Sequence, residues 1–306
     1  MSARDRIIVA PHPKSFRMLP RSSESAPAVN GVLLCPPTHF EVLDTKNEFM
    51  RGQHGRVDRE LAARQWQQLA AHYADAGLRV HELPALPGAE DMVFTANPSA
   101  LLPGPDGEAL AVLSRMRHPS RQEEVAAHAA FWEQRGVTTH ALPTEAGHFE
   151  GHGDLLCVPG RRFALLGVGG RTEARALPHL RAAASLQIEA LPLLGRPFYH
   201  LDTALTVLDE DSVLLHAPAF HPEALATLER CFARCLHADP DESLAGFACN
   251  SHALPGGVVL VPSQAPRTAE QLEVAGYTVR AVDVSEFHRS GGSVFCMKLE
   301  LSSAVG

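Results

Sequence analysis

The sequence has no apolar run that approaches the length of a membrane span, and its first residues are not followed by the apolar stretch of a signal peptide. It also has no low-complexity segment and no linker, because its 23 glycines and 23 prolines are spread along the chain. We therefore expect a cytoplasmic protein with a single domain over residues 1–306. The first few residues and the Ser-rich stretch 21–26 are expected to be mobile.

Positive charge is also in short supply. The chain has 27 Lys and Arg against 35 Asp and Glu, which gives a formal net charge of −8. A net anion of this size is a poor general binder of nucleic acid, whose affinity comes from neutralising phosphates, and it fits a small cationic substrate better. The ordinary content of hydrophobic residues (45%) and charged residues (20%) excludes the disordered and fibrous classes.

The six cysteines contain no Cys-x-x-Cys redox motif. In a chain of this length without a signal peptide we expect all six to be reduced thiols, and most of them to be small core residues. Cys231 and Cys235 are four residues apart within a predicted helix, so they are expected to share one face of it.

Helices and strands alternate in a repeated order. Five segments rich in Ala, Leu, Glu, Arg and Gln are predicted to be helical: 58–77, 119–135, 172–187, 221–234 and 267–275. Short apolar runs lie between them, many in pairs across a Gly, Pro or Asp turn: 31–35, 109–113, 154–158, 163–168, 203–208, 212–216 and 257–261. Paired strands between helices indicate strand–turn–strand–helix–strand modules around an axis, whereas single alternation would indicate a doubly wound sheet.

Five polar stretches interrupt this pattern where apolar strands end: 91–98, 148–154, 167–172, 199–203 and 290–299. Taken singly, each has an ordinary structural explanation, such as Asn97 before a proline. His148 and His152 could chelate a metal on a helix, but Gly151 and Gly153 argue against a helix here, so no metal site is expected. The glycines at 167–170 lack the lysine and spacing of a phosphate-binding loop.

The side chains of these stretches together suggest one chemistry. Arg171 at a strand-to-helix turn can fork onto a carboxylate. His200 and Asp202 are two apart and are expected to share one face of a strand, with His200 suited to proton transfer near neutral pH. Cys296 is expected on a short strand that follows the glycine pair at 291–292. A thiol, a histidine and several carboxylates form the set needed for thiolate attack on a cationic carbon.

Four of these segments resemble the guanidino-group-modifying enzyme superfamily, the penteins, and they occur in the order found in that family: Asp-Met-Val-Phe-Thr-Ala-Asn (91–97), Phe-Glu-Gly-His-Gly-Asp (149–154), His-Leu-Asp-Thr (200–203) and Gly-Gly-Ser-Val-Phe-Cys-Met-Lys-Leu-Glu-Leu (291–301). The resemblance runs from about residue 30 to the end. It implies a single catalytic domain with an α/β fold, a five-bladed propeller of ββαβ modules with pseudo-fivefold symmetry.

The resemblance also implies the roles of individual residues. The catalytic set would be Cys296 as nucleophile, His200 as acid and base, and Glu150 as a carboxylate that grips the guanidinium. The substrate-binding set would be Asp91, Asn97 and Asp202 around the guanidinium, Arg171 on the substrate α-carboxylate, and a second arginine from 115–117, for which we favour Arg117. Two positions depart from the family pattern: Asn97 stands where deiminases carry Asp, and His152 where Gly is usual.

The implied reaction is hydrolysis at the guanidinium carbon of arginine or an N-methylated arginine. It would pass through a covalent thiouronium on Cys296 and release an amine or ammonia and a ureido product, as a dimethylargininase does, with no metal or organic cofactor. An arginine dihydrolase, a deiminase and an amidinotransferase remain alternatives. From another class, a catalytically silent ligand-binding member would have lost the Cys, His or Glu. The expected partner is a small guanidino cation, with no nucleic acid and no membrane, and a homo-oligomer is left open.

Overall fold

A computed structural model describes residues 28–303 and 305, so the stretch 21–26 and the first residues, which were expected to be mobile, lie outside the described part. The strands are β1 (Val29–Leu34), β2 (Arg79–Glu82), β3 (Ser99–Pro103), β4 (Ala109–Leu113), β5 (Thr138–Ala141), β6 (Leu155–Cys157), β7 (Phe163–Val168), β8 (Gln187–Pro192), β9 (Leu205–Val207), β10 (Ser212–Leu215), β11 (Arg234–His237), β12 (His252–Leu254), β13 (Val258–Pro262), β14 (Thr278–Val282) and β15 (Leu299–Ser302).

The α-helices are α1 (Arg59–Asp75), α2 (Gln122–Glu133), α3 (Gly151–Asp154), α4 (Ala176–Ala183), α5 (Leu201–Ala204), α6 (Pro222–Cys231), α7 (Pro240–Ala245), α8 (Pro266–Val274) and α9 (Ser285–His288). Local capping fixes some of their starts. The side chain of Asp58 accepts a hydrogen bond from the N–H of Leu61 at the start of α1 (2.9 Å). Among the described residues, no helix is both long and apolar enough to cross a membrane.

The strands form five sheets of three strands each: β15-β1-β2, β3-β4-β5, β6-β7-β8, β9-β10-β11 and β12-β13-β14. In every sheet the central strand pairs antiparallel with one neighbour and parallel with the other. The parallel pair needs a crossover, which α1, α2, α4, α6 and α8 provide in turn. The predicted ββαβ module is therefore confirmed.

The apolar core consists of five clusters, each shared by two consecutive sheets. Leu33 of β1 packs with Ala111 of β4, Val112 of β4 with Leu166 of β7, and so on around the fold. The other three clusters join β7 to β10, β10 to β13, and β13 back to β1. The last cluster closes the ring, and β15 from the C-terminal end completes the sheet that β1 begins. The predicted five-bladed α/β architecture is confirmed; the single catalytic domain over residues 1–306 stays a prediction.

Several local predictions were wrong. Helix α6 ends at Cys231 and Cys235 lies in β11, so the two do not share a helix face. Asp202 lies in the one-turn helix α5, and His200 precedes it, so the pair is not on a strand. A one-turn helix also forms at Gly151–Asp154 despite its glycines, with a left-handed φ of +57° at Gly151. Cys296 lies in a turn before β15, not on a strand.

Candidate active site

Each of the five modules supplies one polar residue shortly before its first strand. These residues are Asn97, Glu150, His200, Asn250 and Cys296, which precede β3, β6, β9, β12 and β15. Because the modules are arranged in a ring, equivalent positions converge at its centre, and all five residues are buried. The fold therefore brings together side chains that are up to 199 positions apart in the sequence (296 − 97).

Glu150 is the best-paired carboxylate of the group. Its Oε2 lies 2.7 Å from Nε2 of His200 and 3.1 Å from Nη1 of Arg171, and its Oε1 accepts a hydrogen bond from the backbone N–H of Arg117 (2.8 Å). Burial opposes the charge, but the hydrogen bond with His200 and the charge of Arg171 outweigh it and hold the pKa of Glu150 well below its usual range. Glu150 is therefore ionised at neutral pH.

The ring of His200 is oriented from both sides. Asn97 Oδ1 accepts a hydrogen bond from Nη1 of Arg121 (3.0 Å), so the Asn97 amide nitrogen must be the group that faces Nδ1 of His200 at 3.5 Å. This network assigns the acceptor role to Nδ1 and places the proton of the neutral ring on Nε2, toward Glu150. Gly153 is required here, because a Cβ at that position would overlap the Asn97 amide nitrogen.

Cys296 contacts two polar side chains through its sulfur. Its thiol donates a hydrogen bond to Oδ2 of Asp202 (3.0 Å), and its Sγ accepts one from Nδ2 of Asn250 (3.1 Å). Burial, followed by the charge of Asp202, raises the pKa of the thiol well above its ordinary value. Burial also raises the pKa of Asp202 to about 7. Without a bound cation the nucleophile is therefore a thiol and not a thiolate.

Asp202→Asn tests this electrostatic arrangement. Removing the negative charge next to the sulfur lowers the pKa of the Cys296 thiol, so the pH midpoint for its alkylation by neutral iodoacetamide should fall, by about one unit or more. Alkylation rates across pH, with the site of labelling identified by mass spectrometry, measure this shift. Asp106→Asn, in an exposed turn, is the matched control. An unchanged midpoint in Asp202→Asn would show that this carboxylate does not govern the thiol.

Two neighbouring cavities with shared lining residues lie at this centre. A small pocket of about 10 Å³ is lined by Cys296, Asn97 and Arg171, among others. A wider cleft of about 450 Å³ shares Arg171 and Tyr199 with it and extends to Arg117. The cleft has the size of a small-molecule site, whereas the inner pocket is no larger than a water molecule.

Asp91, at the wall of the inner pocket, already has partners. Its Oδ1 accepts a hydrogen bond from Oγ of Ser290 (2.7 Å), and its Oδ2 forms an ion pair with Nζ of Lys46 (3.1 Å). Lys46 also pairs with Asp44 (2.5 Å) and Glu90 (2.6 Å). Burial opposes the charge of Lys46, but these carboxylates outweigh it and raise its pKa. Asp91 is therefore one of three carboxylates that share Lys46 and not an isolated negative charge.

The two arginines expected to bind a substrate carboxylate differ in their surroundings. Arg171 is buried; its Nη2 donates to the backbone carbonyl of Lys46 (3.0 Å), and its guanidinium lies 4.9 Å from the ring centre of Tyr199. Arg117 is exposed in the cleft and makes one guanidinium hydrogen bond, to the carbonyl of Gly170 (3.3 Å). Arg115 pairs with Phe149 through its backbone and does not line the cleft.

Sequence reasoning missed three residues of this centre. Arg121, Lys46 and Asn250 contact the predicted site residues Asn97, Asp91 and Cys296, yet none of the three was itself predicted as a site residue. A signal existed for Arg121, since Glu124 three positions later is its helical ion-pair partner (2.7 Å). The buried ring of His152 lines neither cavity; burial lowers its pKa to about 4. Within the described part, no three His, Cys, Asp or Glu side chains are grouped as metal ligands.

Comparison with known proteins shows that this chain is similar to guanidino-processing enzymes. The family described as N,N dimethylarginine dimethylhydrolase, eukaryotic, matches residues 36–303. An N(G),N(G)-dimethylarginine dimethylaminohydrolase from Mycobacterium tuberculosis is 34% identical over 90% of this chain and 87% of its own. The bifunctional arginine dihydrolase/ornithine cyclodeaminase ArgZ of Synechocystis is 31% identical over 90% of this chain, which spans 38% of that longer protein.

Solved structures agree with these matches. The N-terminal domain of ArgZ, an arginine dihydrolase from cyanobacteria bound to its product, superposes with a TM-score of 0.83 at 30% identity, over 89% of this chain and 97% of that domain. A dimethylarginine dimethylaminohydrolase adduct with S-methyl-L-thiocitrulline gives a TM-score of 0.73 at 22% identity, which supports the shared fold alone.

Proposed function

The chain belongs to the dimethylarginine dimethylaminohydrolase family, and from this premise we propose that Cys296, His200 and Glu150 hydrolyse the guanidino group of an N-methylated arginine. It is a guanidino hydrolase, an enzyme that acts on carbon–nitrogen bonds other than peptide bonds. The observation that carries the proposed mechanism is a buried thiol at the wall of a small pocket beside a cleft, hydrogen-bonded to the acid Asp202, while the neighbouring modules supply the paired His200 and Glu150. Free cysteines, six in the described part, support a cytoplasmic location.

Substrate binding would itself generate the nucleophile. The substrate guanidinium is charged at neutral pH, and its approach to Sγ of Cys296 offsets the burial and the Asp202 charge that keep the thiol protonated. The thiol proton would then pass, by way of its acceptor Asp202, to His200. A cation in the pocket thus increases the thiolate fraction of Cys296, which is small without one.

The proposed chemistry has two halves. The thiolate attacks the guanidinium carbon, His200 gives a proton to the leaving nitrogen, and the amine departs to leave a thiouronium on Cys296. Water then gives a proton to His200 and its oxygen adds to the same carbon. Cleavage of the carbon–sulfur bond releases the ureido product and the thiolate, and the last proton goes to the solvent, where the amine takes it up. Glu150 keeps His200 oriented through both halves.

The direction of the Asn97 amide supports a methylated substrate. Its oxygen is taken by Arg121, so its nitrogen is the group presented toward His200 and the pocket. The amide nitrogen of Asn97 is a donor, so it cannot accept hydrogen bonds from the N–H groups on an unsubstituted edge of the guanidinium. A dimethylated nitrogen has no N–H to donate, and it therefore loses no hydrogen bond at this position.

The same amide supports arginine dihydrolysis as a second candidate. After one ammonia has left arginine, the remaining ureido group carries a carbonyl oxygen, which an N–H donor can hold and a carboxylate would repel. A ureido group retained beside Cys296 could be attacked a second time, so that a second ammonia leaves, water releases the carbon as carbon dioxide, and ornithine remains. The similarity to the ArgZ arginine dihydrolase domain favours the same possibility.

Product analysis distinguishes the two candidates. The purified protein is incubated separately with asymmetric dimethylarginine, arginine and agmatine, and dimethylamine, citrulline, ornithine and ammonia are measured. A dimethylargininase gives dimethylamine and citrulline, whereas a dihydrolase gives ornithine and ammonia from arginine. If none of these compounds is turned over and a haloacetamidine leaves Cys296 unlabelled, the hydrolase proposal is wrong and the silent binding alternative stands.

Arg117 is predicted to select for a substrate carboxylate. Arg117→Ala should raise KM for amino-acid substrates by roughly tenfold or more, the loss expected for one charged hydrogen-bonding partner, with little change in kcat. KM for agmatine, which lacks the carboxylate, should not change in this variant. Arg115→Ala is the matched control, because Arg115 lies two residues away and outside the cleft. An equal effect on agmatine would contradict the assigned role.

A further inference from the structure

The ring of modules supplies a fifth central residue to which no role has been assigned. Asn97, Glu150, His200 and Cys296 each precede the first strand of a module, and Asn250 occupies the equivalent position before β12. Asn250 is fully buried. A buried amide has to satisfy two donors and an oxygen, so its partners show what it is placed to do.

The partners of Asn250 lie almost entirely on the segment that carries the nucleophile. Its Oδ1 accepts hydrogen bonds from the backbone N–H groups of Phe295 (3.0 Å) and Cys296 (3.2 Å). Its Nδ2 donates to Sγ of Cys296 (3.1 Å) and to the backbone carbonyl of Asp202 (2.9 Å). One side chain thus joins the turn of the nucleophile to the helix of its acid partner.

We propose that Asn250 is a positioning residue that holds the Cys296 turn and stabilises its thiolate through the Nδ2 hydrogen bond. Sγ has two side-chain partners within hydrogen-bond distance, and they act oppositely. Asp202 accepts the thiol hydrogen and disfavours a negative sulfur, whereas the Asn250 N–H favours it. When the thiol loses its proton, the hydrogen bond from Asn250 is kept and strengthens, while that to Asp202 is lost.

This role rests on the proposed function for its catalytic meaning, but thiol reactivity can be tested without any turnover. Asn250→Ala removes the hydrogen bonds that Oδ1 accepts and those that Nδ2 donates. Asn250→Asp keeps the oxygen that accepts from the backbone and replaces the donating NH₂ group with a carboxylate oxygen. Both variants should react with iodoacetamide at Cys296 about tenfold more slowly than the wild type near pH 8. With an active substrate, kcat should fall while KM changes little.

Thr206→Val provides the structural control. Thr206 Oγ1 donates to the backbone carbonyl of Cys249, beside Asn250, and makes no contact with the sulfur (2.6 Å to the carbonyl). The variant Thr206→Val should lower the melting temperature without slowing the alkylation of Cys296. The proposal is overturned if either Asn250 variant alkylates at the wild-type rate, or if Thr206→Val slows alkylation as much as they do. Failure of the hydrolase proposal itself would appear separately, as a wild-type protein that alkylates normally but turns over no guanidino compound.

Discussion

Cys296→Ser is expected to lower kcat by roughly 10⁴-fold or more while the protein stays folded. The reason is that a covalent mechanism has no alternative nucleophile at the inner end of the cleft, and a serine hydroxyl is far less acidic than a thiol. Sulfur and oxygen differ little in volume, and Sγ lies between two polar groups, Asp202 and Asn250, that can also bond to a hydroxyl. Steady-state kinetics with the substrate found by product analysis measure the loss.

Cys235→Ser is the matched control for this result. Cys235 is half-buried on β11 and lines neither the small pocket nor the cleft, so its removal should leave kcat unchanged. A haloacetamidine should label wild type and Cys235→Ser at one cysteine and leave Cys296→Ser unlabelled. Substantial turnover by Cys296→Ser would rule out the covalent mechanism.

The fold could be predicted because its signals are local and repeated. Paired apolar runs such as Ala109–Leu113 and Phe163–Val168 coincide with β4 and β7, since strand-forming residues flanked by turns need no distant information. Four of the five helices were predicted too long, as for 172–187 against Ala176–Ala183, and the fifth, 267–275, was predicted one residue late against Pro266–Val274. Helix propensity does not indicate where a helix must end so that the next strand can begin. For the same reason the location of Cys235 was predicted wrongly.

The parts of the site that could not be predicted depend on contacts between modules. One-turn helices such as Leu201–Ala204 are too short to show a period of 3.6, so His200 and Asp202 looked like a strand pair. Arg121 looks like an ordinary surface residue at a helix start, and only the ring geometry places it against Asn97. Asn250 lies outside the polar stretches that the sequence singled out, and its side-chain partners lie 45 to 48 positions away.

Arg121→Ala should destabilise the protein more than any other single change discussed for this site. Arg121 is buried and makes a two-pronged ion pair with Glu124, with Nε to Oε1 at 2.8 Å and Nη2 to Oε2 at 2.7 Å. Removing one member of a buried pair leaves the other charge uncompensated, which typically costs about 3–5 kcal/mol. Denaturant unfolding, compared with the wild type at the same pH, measures the loss.

The loss of stability in Arg121→Ala should depend on pH, because Glu124 no longer has its ion-pair partner. Burial already raises the pKa of Glu124 to about 7, despite the opposing effect of Arg121. Without Arg121 it rises further, so the folded state binds a proton that the unfolded state, with a pKa near 4.5, releases. The free energy of unfolding of Arg121→Ala should therefore fall as pH rises above about 4.5. The difference between the wild type and the variant in this free energy should be smaller near pH 5 than near pH 8. The opposite trend would contradict the charged pair.

The double variant Arg121→Met/Glu124→Leu separates stability from function. Replacing both members of a buried ion pair by apolar residues is often nearly neutral, so most of the lost stability should return. Activity should not return, because nothing then holds the oxygen of Asn97, and its amide can turn to place either end toward His200. A stable double variant with a low kcat would identify Arg121 as the residue that orients Asn97. Wild-type kcat in that variant would reduce Arg121 to a structural role and remove the basis on which the Asn97 amide was argued to select the substrate.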